Sequence, residues 1–465
     1  MRQFAWFFRV PSQHIKNARG GRAVHPLDDL QGRDAMRRIC TCLLALIVVT
    51  TGAGTARADE VTDWNQTMLR AALVGGTSPP VTTRVAAIVQ AAVFDAVNGI
   101  ARRYTPIHVA LAGPAGASLD AAAVQAAYAT LVQLYPAQKS TFDARLAVSL
   151  AVLGAQENSA AIASGLAWGQ TVANAIIEWR SSDGFAPAPP AFLGGSAVGQ
   201  WRPTPPAFAS GAVPQFVYMT PWAILAPSQF RPAGPPALTS ARYARDFNEI
   251  KTMGNMLSTT RTPDQTVSAW FWASATPSFL WNNVAVSLVT GANSEWDEDG
   301  GRHPHDKRHE STLQNARLLA QLNVAIADAA IACFEAKYTY VFWRPVTAVP
   351  LAATDGNPRT TEDAAWLPLF ATPAHPEYPS AHSCLSAAAG GVLTNRFGDR
   401  TRFTMESDQM PGVVRSFRSF SAASDEVKNA RIVAGIHFRS ATDDGEKLGA
   451  SVAEYVLDHA VQPVR

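Results

Sequence analysis

Apolar positions recur every three to four residues over most of this chain. From Arg84, residues Val85, Ile88, Val89, Ala92, Val93 and Val97 form one stripe, the spacing of an amphipathic helix. Similar patterns predict helices starting near Asp120, Ala137 and Asn158, the last running to about Arg180, where Gly184 closes the block. The pattern resumes at Ser240, at Thr262 (with Thr262-Pro263 as N-cap and first turn) and at Ser278. It continues over 311–343, 380–397, 424–436 and 443–460. Alanine dominates these segments and β-branched runs are few. The expected fold class is all-α, as two helical bundles packed together, with the chemistry in the C-terminal one. The boundaries we assign are a leader over 1–58, an N-terminal bundle with a proline-rich wrap over 59–236, and a C-terminal bundle over 237–465.

Two segments break the helical pattern. Residues 187–236 hold twelve of the 31 prolines, which forbids continuous helix. Trp201, Trp222 and several phenylalanines lie among them, so the segment reads as an ordered wrap on the helices rather than a flexible linker. The run 292–310 is charged and broken by glycine and proline. Its His303, His305 and His309 invite a metal-binding reading, but without a fixed scaffold a solvated loop is the better one.

Composition changes the picture at the amino end. Of 465 residues, 47% are hydrophobic and 16% charged, which fits a sizeable core and excludes disorder. From Met36 a basic pair, Arg37-Arg38, precedes the apolar run Leu43–Val49 and then Ala56-Arg57-Ala58, the layout of a secretory signal peptide. The apolar run is short for a bilayer span. Translation from Met36 and cleavage before Asp59 are expected, giving an exported, periplasmic or extracellular protein. The leader carries nine of the 39 Lys/Arg and three of the 37 Asp/Glu, which leaves 30 basic and 34 acidic residues. A mature net charge of −4 gives no reason to expect nucleic-acid binding. No further apolar stretch is expected to reach spanning length, so no stable membrane span is expected. Cys333 and Cys384 remain after cleavage; two buried free thiols are favoured over a disulfide. The oligomeric state stays open, a homo-oligomer included.

Three short motifs near the carboxyl end carry the candidate chemistry. In KYTYVFWRP, Lys337 and Arg344 are seven apart, which on a helix places both cations near one face, with Pro345 ending the helix after Arg344. Their neighbours are aromatic and β-branched, so the cations look buried and require an anion. In HPEYPSAHSCLSAAAGGVL, Ser380 is a good N-cap and the amides of Ala381 and His382 point outward from a helix start, where oxyanions bind well. In ARIVAGIHFRSATDDG, Gly435 permits a break that brings His437 back beside Arg431. Together these groups suit a tetrahedral oxyanion carrying two or three negative charges.

The set resembles the vanadium-dependent haloperoxidase and type-2 phosphatidic-acid phosphatase superfamily, whose signature is K-x6-R-P, then P-S-G-H, then S-R-x5-H-x3-D. Lys337 to Pro345 complete the first part, Pro379-Ser380-Ala381-His382 form the second, and Arg431 to His437 the third. Segments such as GQWRPTPP and RDFNEIKTMG extend the resemblance to soluble bacterial haloperoxidase-like proteins. It implies a vanadate cofactor, with hydrogen peroxide, halide and a small organic acceptor as partners. It further implies that Lys337, Arg344 and Arg431 neutralise vanadate oxygens while Ser380 and the Ala381 amide donate to them. His437 would bond to vanadium, His382 would be the general acid–base, and Lys337 would polarise peroxide. Two positions depart from the signature. Ala381 replaces glycine, which matters only if the position needs a positive φ. The aspartate expected four residues after His437 is Ala441, so either Asp443 or a backbone carbonyl would orient the ring.

The same pocket could hold a phosphate ester, with His437 as nucleophile and His382 protonating the leaving alcohol, as in a secreted acid phosphatase. The long helical amino-terminal half favours the haloperoxidase. Phe334, one turn before Lys337, is expected to line the cavity. His375 stands where chloride-oxidising relatives carry an aromatic and bromide-oxidising relatives a histidine, which favours bromide or iodide. The alternative is that His375 only bonds the proline-rich loop.

Overall fold

The computed structural model describes residues 59–464 apart from 275, 292–303 and 408, with the side chains of 274 and 304–309 also left aside. The leader and most of the 292–310 run, including His303 and the side chains of His305 and His309, therefore lie outside the described residues. Among these residues the chain is all-α apart from one two-stranded hairpin. The first helices are α1 (Glu60–Val74), α2 (Pro79–Ala101), α3 (Leu119–Leu134), α4 (Lys139–Gly154) and α5 (Ser159–Ser181). After the wrap come α6 (Ala241–Met253), α7 (Pro263–Ser274), α8 (Pro277–Thr290), α9 (Pro304–Tyr340) and the short α10 (Pro345–Ala348). The last are α11 (Ala381–Phe397), α12 (Phe420–Val433) and α13 (Arg439–His459), with β1 (Phe403–Glu406) antiparallel to β2 (Val414–Phe417) between α11 and α12.

Local sequence explains where these helices begin. Ser118, Asn158, Ser240, Ser380 and Ser419 each cap a helix with a side-chain oxygen that accepts a first-turn amide. Thr262 accepts from Gln265 N while Gln265 Oε1 accepts from Thr262 N, a reciprocal capping pair at the start of α7. Helix boundaries differ from expectation in three places. Helix α9 begins at Pro304, within the run read as a loop, and ends at Tyr340. Helix α12 starts four residues early, and α13 starts at Arg439, so Asp443 and Asp444 lie in its second turn rather than at its opening.

Helix α9 is the axis of the fold. It packs on α2 on one side and on α11 and α13 on the other, and its residues from Leu313 to Phe334 belong to one apolar core that runs from Val61 to Val461. A helix of that kind is apolar all round. Among the described residues, three helices are indeed long and apolar enough to cross a membrane, Pro79–Ala101, Ser159–Ser181 and Glu310–Tyr340. This corrects the expectation that no further stretch reaches spanning length. The apolar windows of the first and third are 83% and 100% buried in the protein, so packing on neighbouring helices accounts for their hydropathy.

The proline-rich segment is ordered and packed. Trp201 and Phe216 are fully buried and Trp222 nearly so. One carboxylate on α9 fastens it: Asp328 accepts the amides of Trp222 (2.7 Å), Ala223 (2.8 Å) and Ile224 (3.0 Å). Burial pushes this carboxyl up to about 6, against the three amides that hold it down. Replacing Asp328 by Ala orphans three buried donors, and unsatisfied amides cost about 1–3 kcal/mol each. We expect a lower melting temperature and faster proteolysis within 187–236, measured side by side; unchanged cleavage there would show that the wrap is held by its aromatics instead.

Candidate oxyanion site

The three motifs meet at the start of α11. Lys337 lies in the last turn of α9, where Val341, at φ +48, ends the helix. Arg344 is therefore not on the helix face expected for it. It sits in extended backbone as the N-cap of α10, with Pro345 as the first residue of that helix rather than the terminator of α9. The two cations still converge, because the chain between them is tied to the wrap through Trp343 N to Gly199 O and the bridge between Phe342 and Gln200.

Both cations support the loop 375–379 from below. Lys337 Nζ donates to the carbonyls of Pro376 and Glu377, each at 3.0 Å, and to that of Pro379. Arg344 donates from Nε to His375 O (2.9 Å), from one terminal nitrogen to His375 Nδ1 (3.0 Å), and from the other to Ile436 O (2.7 Å) and His437 Nε2 (3.1 Å). Arg431, in the last turn of α12, donates to Trp272 O at 3.1 Å, and its buried Nε has no partner. All three cations are buried. Burial lowers Lys337 to about 8, Arg344 to about 10 and Arg431 to about 9, and Arg344 lowers the other two further. Such crowding of like charge out of water favours an anion among them.

Ser380 is fully buried and caps α11, its Oγ accepting from Ser383 N (3.5 Å) and Ser383 Oγ (3.1 Å). Its own hydroxyl hydrogen is left to donate. Ala381 opens α11 with helical backbone, so the position needs no positive φ. His382 follows in the first turn, half-buried and close enough to His375 to depress its basicity. His437 lies in the turn between α12 and α13, buried, with burial first and then Arg344, Lys337 and Arg431 holding its pKa well below the ordinary value. It is neutral at pH 7. His375 is likewise held neutral by burial, Lys337 and Arg344. Its ring lies 5.2 Å from that of Phe334, which is buried and also touches Phe216 and Tyr338. Cys333 and Cys384 are buried free thiols.

Neither expected partner orients His437. The group at its Nδ1 is Glu377 Oε1, at 3.0 Å, and the same oxygen accepts Phe438 N at 2.9 Å. Asp444 instead accepts the Tyr378 hydroxyl at 2.9 Å and pairs with Arg242 and Lys447. Glu377 was visible in the sequence as the one acidic residue in the loop HPEYPSAH, set among groups expected to be buried. The open surface cleft between α6, α7 and α12, lined by Glu249, Asp264, Arg415 and Glu426, contains none of these residues, and its charges pair with one another.

The donor set fits vanadate or phosphate. Three buried cations, an unpaired guanidinium nitrogen, a serine hydroxyl and a helix start surround one neutral imidazole. Fold and site together define a predominantly helical protein with a buried cluster of cations, a helix start and a histidine that suit an oxyanion. Comparison with known proteins agrees. The family model for the second helical-bundle domain of vanadium chloroperoxidase matches residues 317–465. The vanadium chloroperoxidase of Curvularia inaequalis is 28% identical over 193 residues, and the match spans 36% of this chain and 30% of that relative's length. Among solved structures, the first bacterial vanadium-dependent iodoperoxidase superposes with a TM-score of 0.72 at 26% identity, covering 87% of this chain and 97% of the other. A holo bacterial vanadium-dependent chloroperoxidase shares the fold, with a TM-score of 0.60 at 17% identity, covering 82% and 92%. Residues 317–465 thus match the second helical-bundle domain of vanadium chloroperoxidase, and the fold over most of the chain is shared with bacterial vanadium-dependent haloperoxidases.

Proposed function

We propose that this protein is a vanadium-dependent haloperoxidase that oxidises halide with hydrogen peroxide to hypohalous acid, with bromide or iodide favoured over chloride. The observation that carries the reading is the convergence of Lys337, Arg344 and Arg431 with His437 Nε2 at the start of α11. Bound vanadate would supply a Lewis-acidic centre that activates peroxide. The protein's part is to bind, neutralise and orient. Arg344 and Arg431 offset the oxyanion charge, Lys337 adds its field through the loop it braces, and Ser380 and the Ala381 amide donate hydrogen bonds. His437 Nε2 is the ligand atom, and His382, half-buried at the helix start, takes and returns protons of peroxide.

His375 supports the halide preference. It is a neutral ring against Phe334 whose Nδ1 accepts from Arg344, the same guanidinium that donates to His437 Nε2. The relative named an iodoperoxidase is in keeping with this. The leader pattern before Asp59 supports an exported enzyme. A direct assay must separate the haloperoxidase from the phosphatase chemistry.

One experiment does so. The mature protein is recovered from the exported fraction, where Asp59 should be its first residue, and loaded with orthovanadate. Halogenation of monochlorodimedone is then followed with iodide, bromide or chloride, beside p-nitrophenyl phosphate hydrolysis by the apoprotein. Vanadate-dependent turnover with bromide or iodide, faster than with chloride, is expected. Phosphatase turnover without vanadate-dependent halogenation would overturn the reading, and chloride rates equal to bromide would remove the halide assignment.

A further inference from the structure

We infer that Glu377 is the positioning residue for His437, doing from the second motif what the missing aspartate of the third motif cannot do. The inference rests on the functional reading above only for the identity of the anion. Ala441 stands at the signature's acidic position, buried in the first turn of α13, and Asp443 lies in the second turn of that helix. Glu377 reaches the ring from another element altogether, sixty residues earlier in sequence.

Three observations fix what Glu377 does there. First, Phe438 N donates to Glu377 Oε1, so that oxygen is an acceptor toward His437 whether or not the carboxyl carries a proton. A proton, if present, belongs on Oε2, which is buried without a partner. His437 Nδ1 must then be the protonated nitrogen, and Nε2 holds the lone pair. Second, Nε2 is the nitrogen that faces the cations, with Arg344 donating to it at 3.1 Å. Only this tautomer presents a ligand atom to the anion pocket. Third, Glu377 cannot swing away. Its carbonyl and those of Pro376 and Pro379 are held by Lys337, and its amide donates to Phe342 O. Lys337 thus acts on His437 through the loop as well as through its charge. A metal-binding imidazole whose other nitrogen is held in this way gains both orientation and basicity.

The test compares Glu377→Gln and Glu377→Ala with the wild-type full mature chain. Glutamine is nearly isosteric, and Phe438 N–H selects its amide oxygen for the Oε1 position, so the Nδ1–H bond survives while the carboxyl, pushed up to about 8 by burial, is replaced by an amide that cannot ionise. NMR of histidine-labelled, anion-free protein should find the His437 proton on Nδ1 in wild type and in Glu377→Gln. Orthovanadate titration should show a Kd raised about 10–100-fold in Glu377→Ala, the usual cost of losing such a partner, with partial rescue in Glu377→Gln. A His437 proton on Nε2 in the wild type overturns the inference. So does an unchanged Kd in Glu377→Ala, or, where that variant does not fold, loss of the Nδ1 proton in a folded Glu377→Gln. If the wild type binds no vanadate, the functional reading fails, while the NMR result still decides the role of Glu377.

Discussion

Replacing His437 by Ala should abolish vanadate-dependent bromide oxidation, lowering kcat by about 10³-fold or more, at the upper end of what a single anion-stabilising contact supplies. The histidine stands as a neutral imidazole beside Arg344 and Arg431, with its Nε2 lone pair facing Arg344. The cations alone can still attract an oxyanion, but as a diffuse charge they cannot fix it. Loss of turnover should therefore exceed loss of phosphate binding. The fold should persist, because each partner of the ring keeps another bond: Glu377 Oε1 retains Phe438 N, and Arg344 retains Ile436 O and His375. Steady-state halogenation and phosphate titration on the same preparation check both halves. A variant that keeps even a tenth of the wild-type rate would remove His437 from the ligand role.

Much of this site was legible because its chemistry is written in short segments. Lys337, Arg344, Ser380, His382, Arg431 and His437 come from three motifs of ten residues or so, and in the second and third the Ser380 cap and Gly435 mark the helix ends in sequence. What was not legible depended on three-dimensional routing. Seven-residue spacing on an assumed helix placed Lys337 and Arg344 together for the wrong reason. The helix ends at Tyr340, and the wrap, through Gly199 and Gln200, brings Arg344 back. The partner of His437 was sought downstream because local spacing suggests it there, whereas Glu377 crosses from another motif. The α9 boundary failed because Pro304 can open a helix as readily as it breaks a loop. The order of the proline-rich wrap is legible in its aromatic side chains, which at that density must be buried; the carboxylate that pins it, Asp328, lies 104 to 106 residues away and gives no local sign.

Gly435→Ala should unfold the protein more easily by roughly 2–5 kcal/mol, adding about 1–2 kcal/mol for the left-handed backbone to about 1–3 kcal/mol for overpacking. The turn it occupies is what joins the third motif. Helix α12 ends at Val433; Gly435 N donates to Ile432 O and Ile436 N to Arg431 O, the paired bonds of a helix stop with glycine at φ +77. That reversal carries His437 back toward Arg431, six residues before it, which a continuing helix would not do. It also brings two backbones together. A Cβ at 435 would lie 2.5 Å from Gly254 O and 2.8 Å from Pro368 Cβ, and a Cβ at 254 would meet Gly435 Cα at 2.5 Å. Neither neighbour is a flexible side chain that can step aside. Relief has to come from the turn itself, which moves Ile436 O off Arg344 and tilts the His437 ring away from Glu377. Stability and vanadate affinity should therefore fall together in this variant, in contrast to Glu377→Gln, where affinity falls and stability does not. Thermal unfolding beside orthovanadate titration reads both. A Gly435→Ala protein with wild-type melting and wild-type affinity would mean that the turn can take another path, and that the convergence of Arg431 and His437 does not depend on it.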